Sequence, residues 1–207
     1  VTFQDALAFG RDGEERVAAK LIRLGFVVSP LYQYEGHKRA PVLLYRLDGA
    51  VGCLTHPDLA VFGKTCCFAE VKRKRRWVDF DRGRGLETGC NLGLWQQYLA
   101  VGRATGLPVW LFFIHEEQEP TGVFAGQAER LLPHLREWDG LRGTFRVSKP
   151  LALFPRTALL PKWTLAELDD CHEGNRVALQ ESMSQPPASP RLSPGEGQRS
   201  DHAGDRP

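Results

Sequence analysis

Residues Val109-Trp110-Leu111-Phe112-Phe113-Ile114 form an unbroken apolar run. Such a run reads as a central strand with both faces covered, because a half-exposed strand would alternate apolar with polar residues. A strand of that kind commits the chain to packed layers on both sides of a sheet. The segment before it supports this. Leu94 to Thr105 has helical spacing, Gly106 follows as a stop, and Pro108 lies just beyond, where a helix cannot continue.

The rest of the chain fills in around that unit. Residues 3–25 read as helical, with Gly10 and Gly13 interrupting. From Glu14 onward Val17, Ala18, Leu21 and Leu24 recur at helical spacing. Strands are expected at Phe26-Val27-Val28, at Val42 to Tyr45, and at Asp58 to Phe62 after Pro57. Another is expected at Cys66 to Lys72, which forms a hairpin with the one before it across Gly63-Lys64. Residues 73–92 are basic and glycine-rich and read as a loop. A helix is expected over 125–138, late strands between Phe145 and Phe154, and a short helix from Thr164, where Glu167 completes a capping box. The order helix, strands, helix, strand makes this an α/β chain with a mixed central β-sheet flanked by helices. We expect one domain over 1–183. The 184–207 segment carries five of the 14 prolines, has almost no large apolar residue, and is expected to be a disordered Pro/Ser-rich tail.

Composition narrows the function classes. No apolar stretch is long enough to span a membrane, and no secretory signal pattern opens the chain. Cysteine is odd in number, at five, and no CxxC occurs. That argues against a disulfide framework and for a reducing, cytoplasmic setting. Cys53 and His56 lack a matching second pair for a zinc site. The net charge is only +2, yet residues 72–84 hold seven positive and two negative side chains. A local basic patch on a nearly neutral chain suggests a polyanion partner.

The hairpin carries the chemistry. Residues two apart on a strand share a face, so Glu70 and Lys72 project together, with Cα atoms about 6.6–7 Å apart. Cys67, Ala69 and Val71 face the other way, toward a core. Asp58, at the head of the partner strand, can meet the pair across the hairpin. On the first helix, Glu14 falls within the stripe of Val17, Ala18 and Leu21, where a carboxylate is costly unless paired, protonated or bound to a metal. Carboxylates beside one lysine suit a hard divalent cation, and a basic segment can hold a phosphate backbone.

His56-Pro57-Asp58, eleven residues, then Glu70-Val71-Lys72 resembles the PD-(D/E)XK signature of the restriction-endonuclease-like nuclease superfamily. Gly13-Glu14, Ala18, Leu21 and Gly25-Phe26 are similar to that superfamily's first helix, including its Holliday-junction-resolvase-like branches. The resemblance covers residues 10–115. It implies a restriction-endonuclease-like core and a Mg2+-dependent DNA endonuclease, with Mn2+ able to substitute. Asp58 and Glu70 would be metal ligands, Lys72 the catalytic lysine, and Glu14 a further acidic residue at the metal. A glutamine on the helix after Glu-x-Lys is common in the superfamily. Of Gln96 and Gln97, Gln97 flanks the apolar face and is preferred. Arg73, Lys74, Arg75, Arg76, Arg82 and Arg84 would contact duplex or branched DNA. A homodimer would accord with cutting two strands, and no membrane partner is expected. A catalytically inactive nucleic-acid-binding module on the same fold is the alternative, and the completeness of Asp58, Glu70 and Lys72 argues for activity. Packing is the preferred role for Trp77 and Trp95, and a structural or surface role for His56 and His115.

Overall fold

The computed structural model describes residues 2–31, 42–47, 50–79, 85–139, 141–142, 145–146 and 149–169. In chain order the elements are α1 (Phe3–Arg23), β1 (Val27–Pro30), β2 (Val42–Leu47), β3 (Ala50–Thr55), β4 (Leu59–Phe62), β5 (Cys67–Lys74) and β6 (Glu87–Asn91). There follow α2 (Leu92–Thr105), β7 (Val109–His115), β8 (Gly122–Gln127), α3 (Ala128–Leu131) and β9 (Arg136–Trp138). The last are β10 (Leu141–Arg142), β11 (Phe145–Arg146), β12 (Leu151–Pro155) and β13 (Leu160–Trp163). A short helix over 165–169 comes after them.

The main sheet has six strands in the order β1-β4-β5-β7-β8-β13. Only β5 and β7 run parallel, joined by the crossover that contains α2, and the other pairings are antiparallel. β7 is the covered central strand that its apolar run implies. Leu111 and Phe113 enter a core with Phe68, Trp95, Tyr98 and Phe124 on the α2 side. Phe112 and Ile114 enter a second core with Val17, Leu21, Ala69, Val71 and Leu168 on the α1 side. Burying each large side chain of this kind contributes about 1.5–3 kcal/mol, so one strand ties both helical layers to the sheet.

α1 runs without a break through Gly10 and Gly13, contrary to the expected interruption. Thr2 and Asp5 close a capping box at its start. Gly13 is used for approach rather than for a turn, because a Cβ there would sit 3.3 Å from both Arg73 Cβ and Ile114 Cδ1. The apolar stripe ends earlier than expected. Val17 and Leu21 are buried, while Leu24, past the end of the helix, is exposed.

Other expectations are corrected by pairing that local pattern does not reveal. The basic segment read as a loop over 73–92 contains the end of β5 and all of β6. β6 pairs with β12, where a side chain on Gly89 would collide with the Ala152 carbonyl. β3 was not anticipated and pairs with β2. The helix expected over 125–138 is instead the end of β8, the four residues of α3, a single 3-10 turn and β9. Val123 to Ala125 are drawn into the sheet between β7 and β13, and Pro133 stops further helix. The Thr164–Glu167 capping box forms as expected. The 184–207 segment lies outside the described residues.

Candidate active site

The site lies at the start of β4, where β5 runs on past its partner. β4 pairs with β5 only from Val61 opposite Cys67 to Leu59 opposite Ala69, whereas β5 runs on to Lys74. One residue beyond the ladder, the Asp58 side chain takes over its work. Asp58 Oδ2 accepts a hydrogen bond from the Val71 N–H at 2.8 Å, and the Asp58 N–H donates to Glu70 Oε2 at 3.3 Å. Both carboxylates are buried. Asp58 Oδ1 has no hydrogen-bond partner among the described residues. Glu70 Oε1 accepts from the Lys72 ammonium and from the Tyr98 hydroxyl, the latter at 2.5 Å.

Two α2 residues brace this arrangement. Tyr98 is fully buried beneath Glu70. Gln97 Oε1 accepts from the Thr55 N–H at 2.8 Å and from the Thr55 hydroxyl, which pins the end of β3 three residues before Asp58. Gln96 is exposed. Helical spacing alone puts Tyr98 on the apolar face of α2. The signal that could have found it is general: a buried tyrosine needs a partner for its hydroxyl.

The electrostatics are those of a site with too little positive charge. Burial raises the proton affinity of Asp58 well above the ordinary carboxylate value, and the charges of Glu70 and Glu14 add to it. Lys72 and the Val71 N–H oppose the rise. Glu14, reaching in from α1, is also raised, first by burial and then by Glu70, against the attraction of Lys72. Burial alone would lower the pKa of Lys72, but Glu70 and Asp58 outweigh it and hold the ammonium protonated. Burial and Glu70 likewise keep the Tyr98 hydroxyl protonated. Three carboxylates thus share one ammonium. The donors are all oxygens, so the residues fit a hard divalent cation. Among the described residues no three His, Cys, Asp or Glu side chains are grouped so as to hold a metal ion as they stand; Glu70 is turned toward Lys72 and Tyr98.

The basic run after Lys72 is divided. Arg73 lies on the opposite face of β5, where its guanidinium donates to Glu116 Oε2 and Asp12 Oδ2 at 2.8 Å each and to the Phe9 carbonyl at 3.3 Å. Arg75 is exposed and 3.6 Å from Glu117, Arg76 is exposed, and Lys74 is half-buried. Arg82 and Arg84 lie outside the described residues. Trp77 is buried, stacks on His115 with ring centroids 3.7 Å apart, and donates to the Pro120 carbonyl. It is therefore a packing residue, as is Trp95. His115 lies against Thr88 Oγ1 at 3.1 Å, and His56 packs edge-on against Phe68. Cys66, Cys67 and Cys90 are free thiols.

Among solved structures, this chain is similar to Hjc, a Holliday junction resolvase from Archaeoglobus fulgidus. The identity is 14% and the TM-score 0.43, over 73% of this chain and 95% of that one. It is also similar to a nuclease from a fusselovirus, at 14% identity and a TM-score of 0.40, over 82% of this chain and 95% of that one. No family model and no curated protein matches the chain. What the site can do follows from its own residues.

Proposed function

We propose that this protein is a metal-dependent nuclease that hydrolyses DNA phosphodiester bonds. The observation that carries this reading is the meeting of Asp58, Glu70 and Lys72 where β4 begins, with Asp58 made reluctant to ionise by burial, Glu70 and Glu14. A magnesium or manganese ion held by Asp58 and Glu70, with Glu14 beside it, would supply positive charge for the phosphate and acidify a water molecule.

The remaining work belongs to the chain. Lys72, held protonated beside Glu70, would stabilise negative charge that builds on the phosphate. Tyr98 fixes the orientation of Glu70 from below. Gln97 holds the segment leading into Asp58 by its bonds to Thr55. Backbone phosphates would be met by basic side chains at the end of β5.

The test is a cleavage assay on linear, supercoiled, single-stranded and branched DNA, with magnesium, manganese or EDTA. Wild type should cut only with metal. Asp58→Ala and Glu70→Ala should bind DNA without cutting it. Lys72→Ala should cut about 100–1000 times more slowly, the scale for losing one preorganised charge from a transition state. Cleavage in EDTA, or undiminished cleavage by Lys72→Ala, would overturn the proposal.

A further inference from the structure

The basic run at the end of β5 holds five positive side chains, and most of that charge is already matched. The Lys72 ammonium is bonded to Glu70. Arg73 is paired with Asp12 and Glu116, and Arg75 approaches Glu117. Among the described residues, Lys74 and Arg76 are the members of this run with no carboxylate or hydrogen-bond partner. For Arg76, which stands in water, this costs little. Lys74 is half-buried.

Among the described residues, no anion is paired with Lys74, and the charged Lys72 lies on the same face. Its partner in the parallel register is His115. Burial, and then Lys74 itself, push the His115 imidazole down to about 4, so it carries no charge at neutral pH. Cys90 on β6 lies within electrostatic reach of Lys72, Lys74 and Glu70, and burial pushes its thiol up to about 11. Burial also lowers the pKa of Lys74, and Lys72 adds to this. A half-buried ammonium between a neutral imidazole and a neutral thiol lacks the anion that its burial calls for. The strand pleat puts Lys74 on the same face as Glu70 and Lys72, about 6.6–6.8 Å beyond Lys72.

We propose that Lys74 is a phosphate-binding residue of this site, holding the substrate phosphate next to the one that is cut. This rests on the nuclease reading above. The nucleic-acid backbone then crosses the end of β5 from Glu70 toward Lys74, along the face that β6 borders. Arg73, on the other face, braces α1 against the strand. A contact of this kind reads charge and spacing and is blind to base sequence.

The experiment measures binding of a labelled duplex DNA oligonucleotide to the full chain in EDTA, between about 50 and 200 mM salt, followed by steady-state cleavage with magnesium. Lys74→Gln should bind about tenfold more weakly, the cost of one charge-assisted hydrogen bond. Its plot of log affinity against log salt should be shallower by about one. In cleavage the loss should appear mainly in KM, and Lys74→Arg should restore both affinity and slope. An unchanged slope and KM in Lys74→Gln, with wild type binding and cutting, would overturn this inference and leave the nuclease reading standing. A loss that Lys74→Arg does not restore would mark Lys74 as a packing residue and overturn it too. A wild type that neither binds nor cuts DNA would remove both.

Discussion

At Glu70 one carboxylate oxygen serves two donors, the Lys72 ammonium and the Tyr98 hydroxyl. The two donors do different things. Lys72 reaches the site from the same strand and stays exposed enough to meet a substrate, whereas Tyr98 is sealed beneath it and can act only through Glu70. Tyr98 is therefore a positioning residue. Its removal should disturb the orientation of Glu70 more than the fold, because the ring of Tyr98→Phe still fills the core. A hydrogen bond to a charged group is worth about 1.5–3 kcal/mol, so kcat should fall about tenfold or more. The melting temperature should shift by only a few degrees. Titration with magnesium separates this from a packing defect. The half-saturating metal concentration should change along with kcat, and a variant with normal metal dependence and normal kcat would show that the hydroxyl positions nothing. The Glu70-x-Lys72 pair was legible in the sequence because strand periodicity alone puts both side chains on one face. Tyr98 was not, because helical spacing assigns a residue to a face and says nothing about what its polar tip meets.

The hairpin of β4 and β5 was legible as an element, and so was the covered central strand β7, which lies beside β5. The unequal lengths of the hairpin strands were not. That inequality makes the site: β4 begins only at Leu59, and beyond Ala69 the Val71 N–H of β5 turns to the Asp58 side chain. The end of β5 reads as the start of a loop because residues 73–92 are basic and glycine-rich. It remains a strand because it pairs with β7 as far as Lys74 opposite His115, and Asp12 on α1 and Glu116 just after β7 supply counter-charge to Arg73. Asp12, Arg16, Arg73 and Glu116 form one network, with Arg16 bonded to Glu116 and to Asp169 at 2.6 Å each. Helix α1, which carries Glu14, is thereby held against the strand that carries Lys72. The basic run accordingly divides into two kinds of residue with different expected phenotypes. Arg73→Met should lower unfolding stability by about 1–3 kcal/mol, because Asp12 and Glu116 lose a partly buried partner. Arg76→Ala, at an exposed position, should leave stability within about 0.5 kcal/mol. Denaturant titration of the two variants checks this. Equal stability loss in both would show that the network carries no weight.

Across the whole molecule, two apolar cores flank one sheet, and a cluster of carboxylates sits at the point where that sheet opens. The cores stabilise the fold while the cluster works against it, a pattern expected where a site is shaped for a cation rather than for stability. The cost has a definite pH signature at Asp58. Its pKa in the folded chain is raised above the ordinary value of 3.8, so the folded state keeps a proton that the unfolded chain has already released. The stability associated with that proton is complete below the ordinary value and is lost as pH rises through the raised one. His115, whose pKa is lowered to about 4, acts in the opposite sense. It withdraws stability as pH falls below the usual histidine range, so wild type alone would show the two effects superimposed. Comparison with Asp58→Asn isolates the carboxylate, since asparagine can still accept from the Val71 N–H and His115 is unchanged. In EDTA the two proteins should melt together near pH 4. As pH rises, Asp58→Asn should become the more stable by about 0.5–2 kcal/mol. Added magnesium should raise the melting temperature of wild type at neutral pH and leave Asp58→Asn nearly unmoved, because a ligand stabilises only the state that binds it. A stability difference independent of pH, or an equal response of both proteins to magnesium, would mean that Asp58 is neither strained by its neighbours nor relieved by a cation.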